Sequence, residues 1–162
     1  VAKLALFPVL LVAGCIISGV YGAAHDQLSY TVSPDDFHHL KFRQFRIPVG
    51  LHNRAGAALV GWHATWWMGL LVGLPLLTVG LILPGARAYL TRSLVAFGVV
   101  AGTALAVGLG GLASSFWTVA QPADISWGVP EGVTDKVAFA RVGVMHDFRY
   151  LGGFIGILTG SA

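Results

Sequence analysis

Charge is what this chain has least of. Asp, Glu, Lys and Arg make up 10% of its 162 residues, against 56% hydrophobic residues and a mean hydropathy of +0.75. Soluble domains carry about a quarter charged residues, so a soluble fold is excluded and a multi-pass membrane protein is expected. Cysteine is nearly absent: Cys15 stands alone in an apolar run, which excludes an intrachain disulfide and a CxxC redox pair. GxSxG, HExxH and P-loop patterns are also missing, so nucleophilic, zincin and nucleotide-dependent enzymes lose their usual support. Ten Lys and Arg stand against seven acids without a basic run, so nucleic acid is not an expected partner.

What is present is long uncharged stretches and a great deal of glycine. Four runs can satisfy their backbone internally as helices across about 30 Å of hydrocarbon: 4–24, 55–83, 94–119 and 135–160. Lys3, the first run and Gly22-Ala23-Ala24 also have the layout of a secretory signal, but the run is expected to stay as an anchor. Pro75 predicts a kink in the second span, and Trp62, Trp66 and Trp67 predict an interface at its start. Pro84-Gly85 ends that span, with Arg87 and Arg92 in a short turn. Thr134 is the expected N-cap of the fourth span, whose first half is unusually polar.

The main polar interruption before Arg87 is His25 to Phe45, HDQLSYTVSPDDFHHLKFRQF. Within it Ser33-Pro34-Asp35-Asp36 reads as an N-cap, a proline at the first helical position and acids at the positive end of a helix dipole. A short amphipathic surface helix over 34–45 follows, with Phe37, Leu40 and Phe45 toward lipid and Lys41 and Arg43 pointing elsewhere. Phe42 breaks that pattern. The expected fold is therefore all-α: a single integral membrane domain over 1–162, built as a four-transmembrane-helix bundle with a surface helix in the first loop.

Small residues recur every four positions in each span: Gly14, Ser18, Gly22; Ala57, Gly61, Thr65, Gly69, Gly73; Gly98, Gly102, Ala106, Gly110, Ser114; and Gly152, Gly156, Gly160. In lipid, where apolar burial drives no association, such stripes let helix backbones approach. Gly61, Gly69, Gly98, Gly102, Gly110, Gly152 and Gly156 are thus the expected packing positions. A compact four-helix bundle, or a bundle offering one stripe to a partner, is the consequence.

His25 and His146 each return to a small-residue face after seven residues, so both are expected to point inward. With Asp26, Asp147 and Arg149 they form the expected structural cluster, Arg149 pairing with Asp26 or Asp147. The sharper reading of His25, Asp26, His146 and Asp147 is a metal site, since imidazole nitrogen and carboxylate oxygen suit Zn, Fe, Ni or Cu. The plainer one, preferred here, is a buried ion-pair and hydrogen-bond network. His63, among tryptophans, is the one candidate for a cofactor such as haem. His38, His39 and His52 are assigned to solvated surface. No cofactor of the chain's own is expected.

HDQLSYTVSPDDFHHLKFRQF, GAALVGWHATWWMGLLVG and RVGVMHDFRYLGG together resemble a family of small uncharacterised bacterial inner-membrane proteins with an HDQxSYTVSPxxF motif and a late MHDF segment. The resemblance implies topology and a bacterial cytoplasmic membrane. Lys3 and the flanks of the first and third spans favour cytoplasmic N- and C-termini, although a raw count argues the reverse: three basic residues fall on the N-terminal face and seven on the other. The expected function is a non-catalytic accessory subunit of a larger membrane complex, respiratory or photosynthetic for example, docked through small-residue helix faces. The alternative is a small metal- or haem-binding redox protein or enzyme using the His-Asp pairs. Lipid and other membrane subunits are the expected partners.

Overall fold

The computed structural model describes residues 2–161. Its regular structure is all helix, with no strand among the described residues. Five long helices carry it: α1 (Ala2–Val32), α2 (Arg54–Thr65), α3 (Met68–Gly80), α4 (Gly85–Thr118) and α5 (Lys136–Gly160). Helices α1 and α4 are each long and apolar enough to cross a membrane. Helices α2 and α3, bent by 44° at a short break, qualify as a third crossing if the pair is one span.

The bend corrects one expectation. Pro75 lies inside α3, whereas the axis turns at Trp66-Trp67, between the two helices. The third helix also starts at Gly85 rather than 94, so Arg87 and Arg92 ride on its first turns instead of in a loop. Helix α1 likewise runs past residue 24 to Val32, carrying His25 and Asp26 within the helix rather than at its end. Helix α5 starts where expected, but its cap is Asp135, whose carboxylate accepts from Ala138 N at 2.8 Å, and not Thr134.

Close approach is built on glycine along two seams. Between α1 and the α2–α3 pair, a Cβ on Gly61 would enter the Gly22 backbone, and one on Gly69 would enter the backbone of Gly14 and Cys15. Thr65 Oγ1 donates to Ser18 O across this seam at 2.7 Å. Between α4 and α5, Gly152 meets Thr103, Ala104 and Val107, Gly156 meets Val100, and Gly111 lies under the Phe148 ring. Gly98, Gly102 and Gly110 do not belong to either seam. A Cβ on any of them meets nothing within 4 Å, so their assignment as packing positions within this chain is corrected. The packed face of α4 is Val100, Ala104, Gly108, Gly111 and Ser115.

The apolar end of the bundle holds Leu10, Leu76, Leu77, Tyr89 and Phe97, all buried. Its polar atoms are helix-end carbonyls with no partner within their own helix. Tyr89 Oη donates to Leu77 O at 3.2 Å, and Lys3 Nζ donates to Leu81 O at 2.6 Å and Leu83 O at 3.0 Å, just past the end of α3.

The other end is closed by the stretch 34–44, which consists of a turn Pro34–Asp36, a π-turn Phe37–Lys41 and a turn Phe42–Gln44. The expected short helix is present, but its aromatic face is turned into protein rather than left for lipid. The wider i→i+5 turn, with Phe42 N donating to Phe37 O, brings Phe37 and Phe42 onto one face, and both are wholly buried against Ile47, Ala57 and Val60. The Phe42 that broke an α-helical pattern fits a π-turn. His52 stacks on it at 4.5 Å, so this imidazole is structural rather than solvated.

Candidate functional site

Beneath that lid, α1, the 34–44 stretch and α5 bring their ionisable side chains together. Helix α1 supplies His25, Asp26 and Ser29 on successive turns of its buried face, and α5 supplies His146 and Arg149 at i and i+3. The π-turn supplies Lys41, placed next to Asp36 from the turn before it.

Two linked sub-networks result. In the first, Lys41 Nζ lies 2.8 Å from Asp36 Oδ2 and 2.6 Å from His146 Nε2. In the second, the His25 Nδ1 atom is approached by Arg149 Nη1 at 3.3 Å, Ser29 Oγ at 3.4 Å and Asp26 Oδ1 at 3.5 Å. The imidazoles of His25 and His146 join them, their centroids 5.3 Å apart. Burial pushes the Asp36 carboxyl above the usual carboxylate range, with Lys41 pulling the other way.

Donor logic fixes one imidazole. Lysine only donates, so His146 Nε2 presents a lone pair to Lys41 and the ring's proton is on Nδ1. His25 Nδ1 faces a donor, Arg149, and an acceptor, Asp26, and serves one or the other according to its tautomer. His146 Nδ1 and His25 Nε2 are buried without a partner, as are Tyr21 Oη and Ser33 Oγ. Two carboxylates, Asp26 and Asp36, face two fixed cations, Lys41 and Arg149, around the two rings.

The expected cluster is thus found with one member missing and two added. His25, Asp26, His146 and Arg149 converge, but Asp147 is exposed and makes no ion pair or side-chain hydrogen bond among the described residues. On α5 it lies about 100° around from His146. The expected pairing of Arg149 with Asp26 or Asp147 is also corrected: no carboxylate of the described residues comes within 4.0 Å of its guanidinium, which reaches the His25 imidazole instead. Asp36 and Lys41 were missed as members. On an α-helical wheel Lys41 lies about 40° from Phe37, on the buried side, but about 140° from Asp36; the wider π-turn brings Asp36 and Lys41 together. His63 is exposed on α2, away from this centre.

A metal ion can be tested against the same residues. His25, Asp26 and His146 each offer a ligand atom, all within 4.8 Å of one another, which is the beginning of a three-ligand set. Opposing it are Lys41 and Arg149, each against one nitrogen of an imidazole, which add two positive charges beside any cation. The donor set favours the ion-pair network.

A second contact ties the lid to the last helix. Asp35 Oδ2 accepts from Thr134 N at 2.7 Å, Thr134 Oγ1 at 2.8 Å and Asp135 N at 3.2 Å, clasping the entry of α5. The Thr134 hydroxyl and these backbone donors hold the Asp35 carboxyl below its usual range.

Two cavities meet at Arg149. One of about 430 Å³ lies under the lid, reaching Asp36, Lys41, Trp127 and His146. The other, about 310 Å³, is a cleft between α1, the α2–α3 pair, α4 and α5, mostly apolar, with Ser18, Tyr21, Thr65, Arg149 and Tyr150 as its polar residues. No family model, curated protein or solved structure matches the chain.

Proposed function

We propose that the chain is a multi-pass protein of a bacterial cytoplasmic membrane, a four-span bundle with cytoplasmic N- and C-termini, that serves as a non-catalytic accessory subunit of a larger membrane complex. The motif resemblance to small inner-membrane proteins supports the location. The fourth span is supported by pairing: α5 lies along α4 from Gly160 beside Ala96 to Phe148 beside Gly111, so the two share one depth. Helix α5 reads poorly as a membrane helix because of Arg141, His146, Asp147 and Arg149. All but the exposed Asp147 are turned toward other protein groups, Arg141 donating to Val119 O at 3.1 Å and lying over the Phe116 ring.

The observation that carries the docking role is the second face of α4. Gly98, Gly102, Ala106 and Gly110 line a membrane-length helix with nothing packed over the three glycines, a surface shaped for the close approach of another helix. Native electrophoresis of membranes solubilised in mild detergent tests it. The chain should migrate in an assembly well above its own mass plus a micelle, and Gly102→Leu should release it while leaving its own unfolding unchanged. Migration alone in the wild type would contradict the docking role.

The three-ligand set supports a second reading, a small metal-binding redox protein centred on His25, Asp26 and His146. Elemental analysis of the purified chain separates the two. Stoichiometric metal lost in His146→Ala would favour the second, and its absence the first.

A further inference from the structure

We propose that the apolar cleft between α1, the α2–α3 pair, α4 and α5 binds a single-chain carboxylate amphipath, a long-chain fatty acid, with its carboxylate on Arg149 and Tyr21 and its tail along the cleft. Arg149 is 6% exposed, and of its five donors one reaches His25 Nδ1. Asp26 shares that imidazole but does not reach the guanidinium. Tyr21 Oη, buried and without a partner, belongs to a residue lining the same cleft. A buried cation and an unmatched hydroxyl at the head of an apolar channel are complementary to an anion that carries a hydrocarbon chain.

The remaining lining selects the class. Met68, Val72, Phe97, Ala101, Phe154 and Ile157 offer only hydrocarbon, sulfur and aromatic surface beyond the head. A planar carboxylate matches the fork of a guanidinium in two parallel hydrogen bonds. About 310 Å³ is at the small end of ligand pockets, which suits one chain rather than a two-chain phospholipid. Phe154 and Leu71 are exposed at the cleft's edge, so entry is from the side of the bundle. Binding there needs only that the bundle lie in lipid and is independent of what docks on the far face of α4.

The test is equilibrium binding of radiolabelled palmitate to the purified chain in maltoside micelles, with hexadecanol and dioleoylphosphatidylglycerol as competitors. Saturable binding of one palmitate per chain is expected, with hexadecanol and the phospholipid each competing at least tenfold more weakly than unlabelled palmitate. Arg149→Gln should weaken binding at least tenfold. Ala101→Phe, at a half-exposed position that fills the cleft without touching the ionisable centre, should do the same, whereas Val95→Phe, exposed on the far side of α4, should not. Non-saturable uptake, equal competition by hexadecanol or by the phospholipid, or wild-type affinity in Ala101→Phe would overturn the assignment.

Discussion

The two ends of this bundle are held by different physics. At the apolar end, Leu10, Leu77, Tyr89 and Phe97 fit by size, and the few polar atoms are stray helix-end carbonyls, each met by one donor. At the lid end, side chains from three segments meet as a network in which each charge depends on another. Exchanging one member for an apolar residue of similar volume should therefore cost little at the first end and a great deal at the second. Small apolar changes leave dispersion losses, while an uncompensated buried charge has no low-energy alternative except protonation or water.

The largest effect is expected from Lys41→Met, which leaves Asp36 without its cation. Removing one partner of a buried pair costs about 3–5 kcal/mol, to be read from reversible unfolding in mixed micelles. The loss should depend on pH. Burial holds the folded Asp36 carboxyl above its ordinary 3.8. The folded state then takes up a proton before the unfolded one, and stability falls as pH rises through the folded value. The deficit of Lys41→Met should accordingly be greater at about pH 8 than at about pH 5.

Next come the seams. Gly61→Leu forces a side chain into the Gly22 backbone and should destabilise by about 1–3 kcal/mol or more. Gly102→Leu, over open space, should change the isolated chain by no more than about 0.5 kcal/mol. Equal losses would mean that α4 packs on its other face.

A smaller effect is expected at the Asp35 clasp. Its carboxyl sits below 3.8 in the folded chain, so its contribution is fully present above that value and lost as pH falls through the lower folded value. Asp35→Asn should weaken the clasp at neutral pH and expose the loop before α5 to faster proteolysis. The smallest change is Arg46→Gly. Arg46 occupies the left-handed region at φ 53°, and glycine there should stabilise by a few tenths to about 1 kcal/mol in the same unfolding assay.

Much of the helical layout was legible because it follows from runs of apolar residues and from punctuation such as Pro84-Gly85. The inward turn of His25 and His146 was legible too, since each lies seven residues from a small-residue face. Side-chain alternatives were less so. Helix α4 carries small residues on both faces, and a spacing of four cannot say which face meets α5 and which is left open. Phe42 was misjudged because an α-helical wheel puts it about 140° from Phe37, and the π-turn that unites them has no signature at the level of residue spacing; Lys41, about 40° from Phe37 on the same wheel, was legible on the buried side and was read as pointing elsewhere. Arg149 was expected on a carboxylate because buried guanidinium usually finds one. Its imidazole contact depends on how α1 and α5 cross, which local pattern does not encode.

The account stands most directly on the coupling between Asp36 and Lys41, measured as a double-mutant cycle in unfolding free energy with Asp36→Ala, Lys41→Met and both together. If the lid end is a charge-balanced network, the double variant should be less destabilised than the sum of the two single ones by about 1.5 kcal/mol or more. Additivity within about 0.5 kcal/mol would mean that the two groups do not depend on each other, and the contrast between the ends would fail.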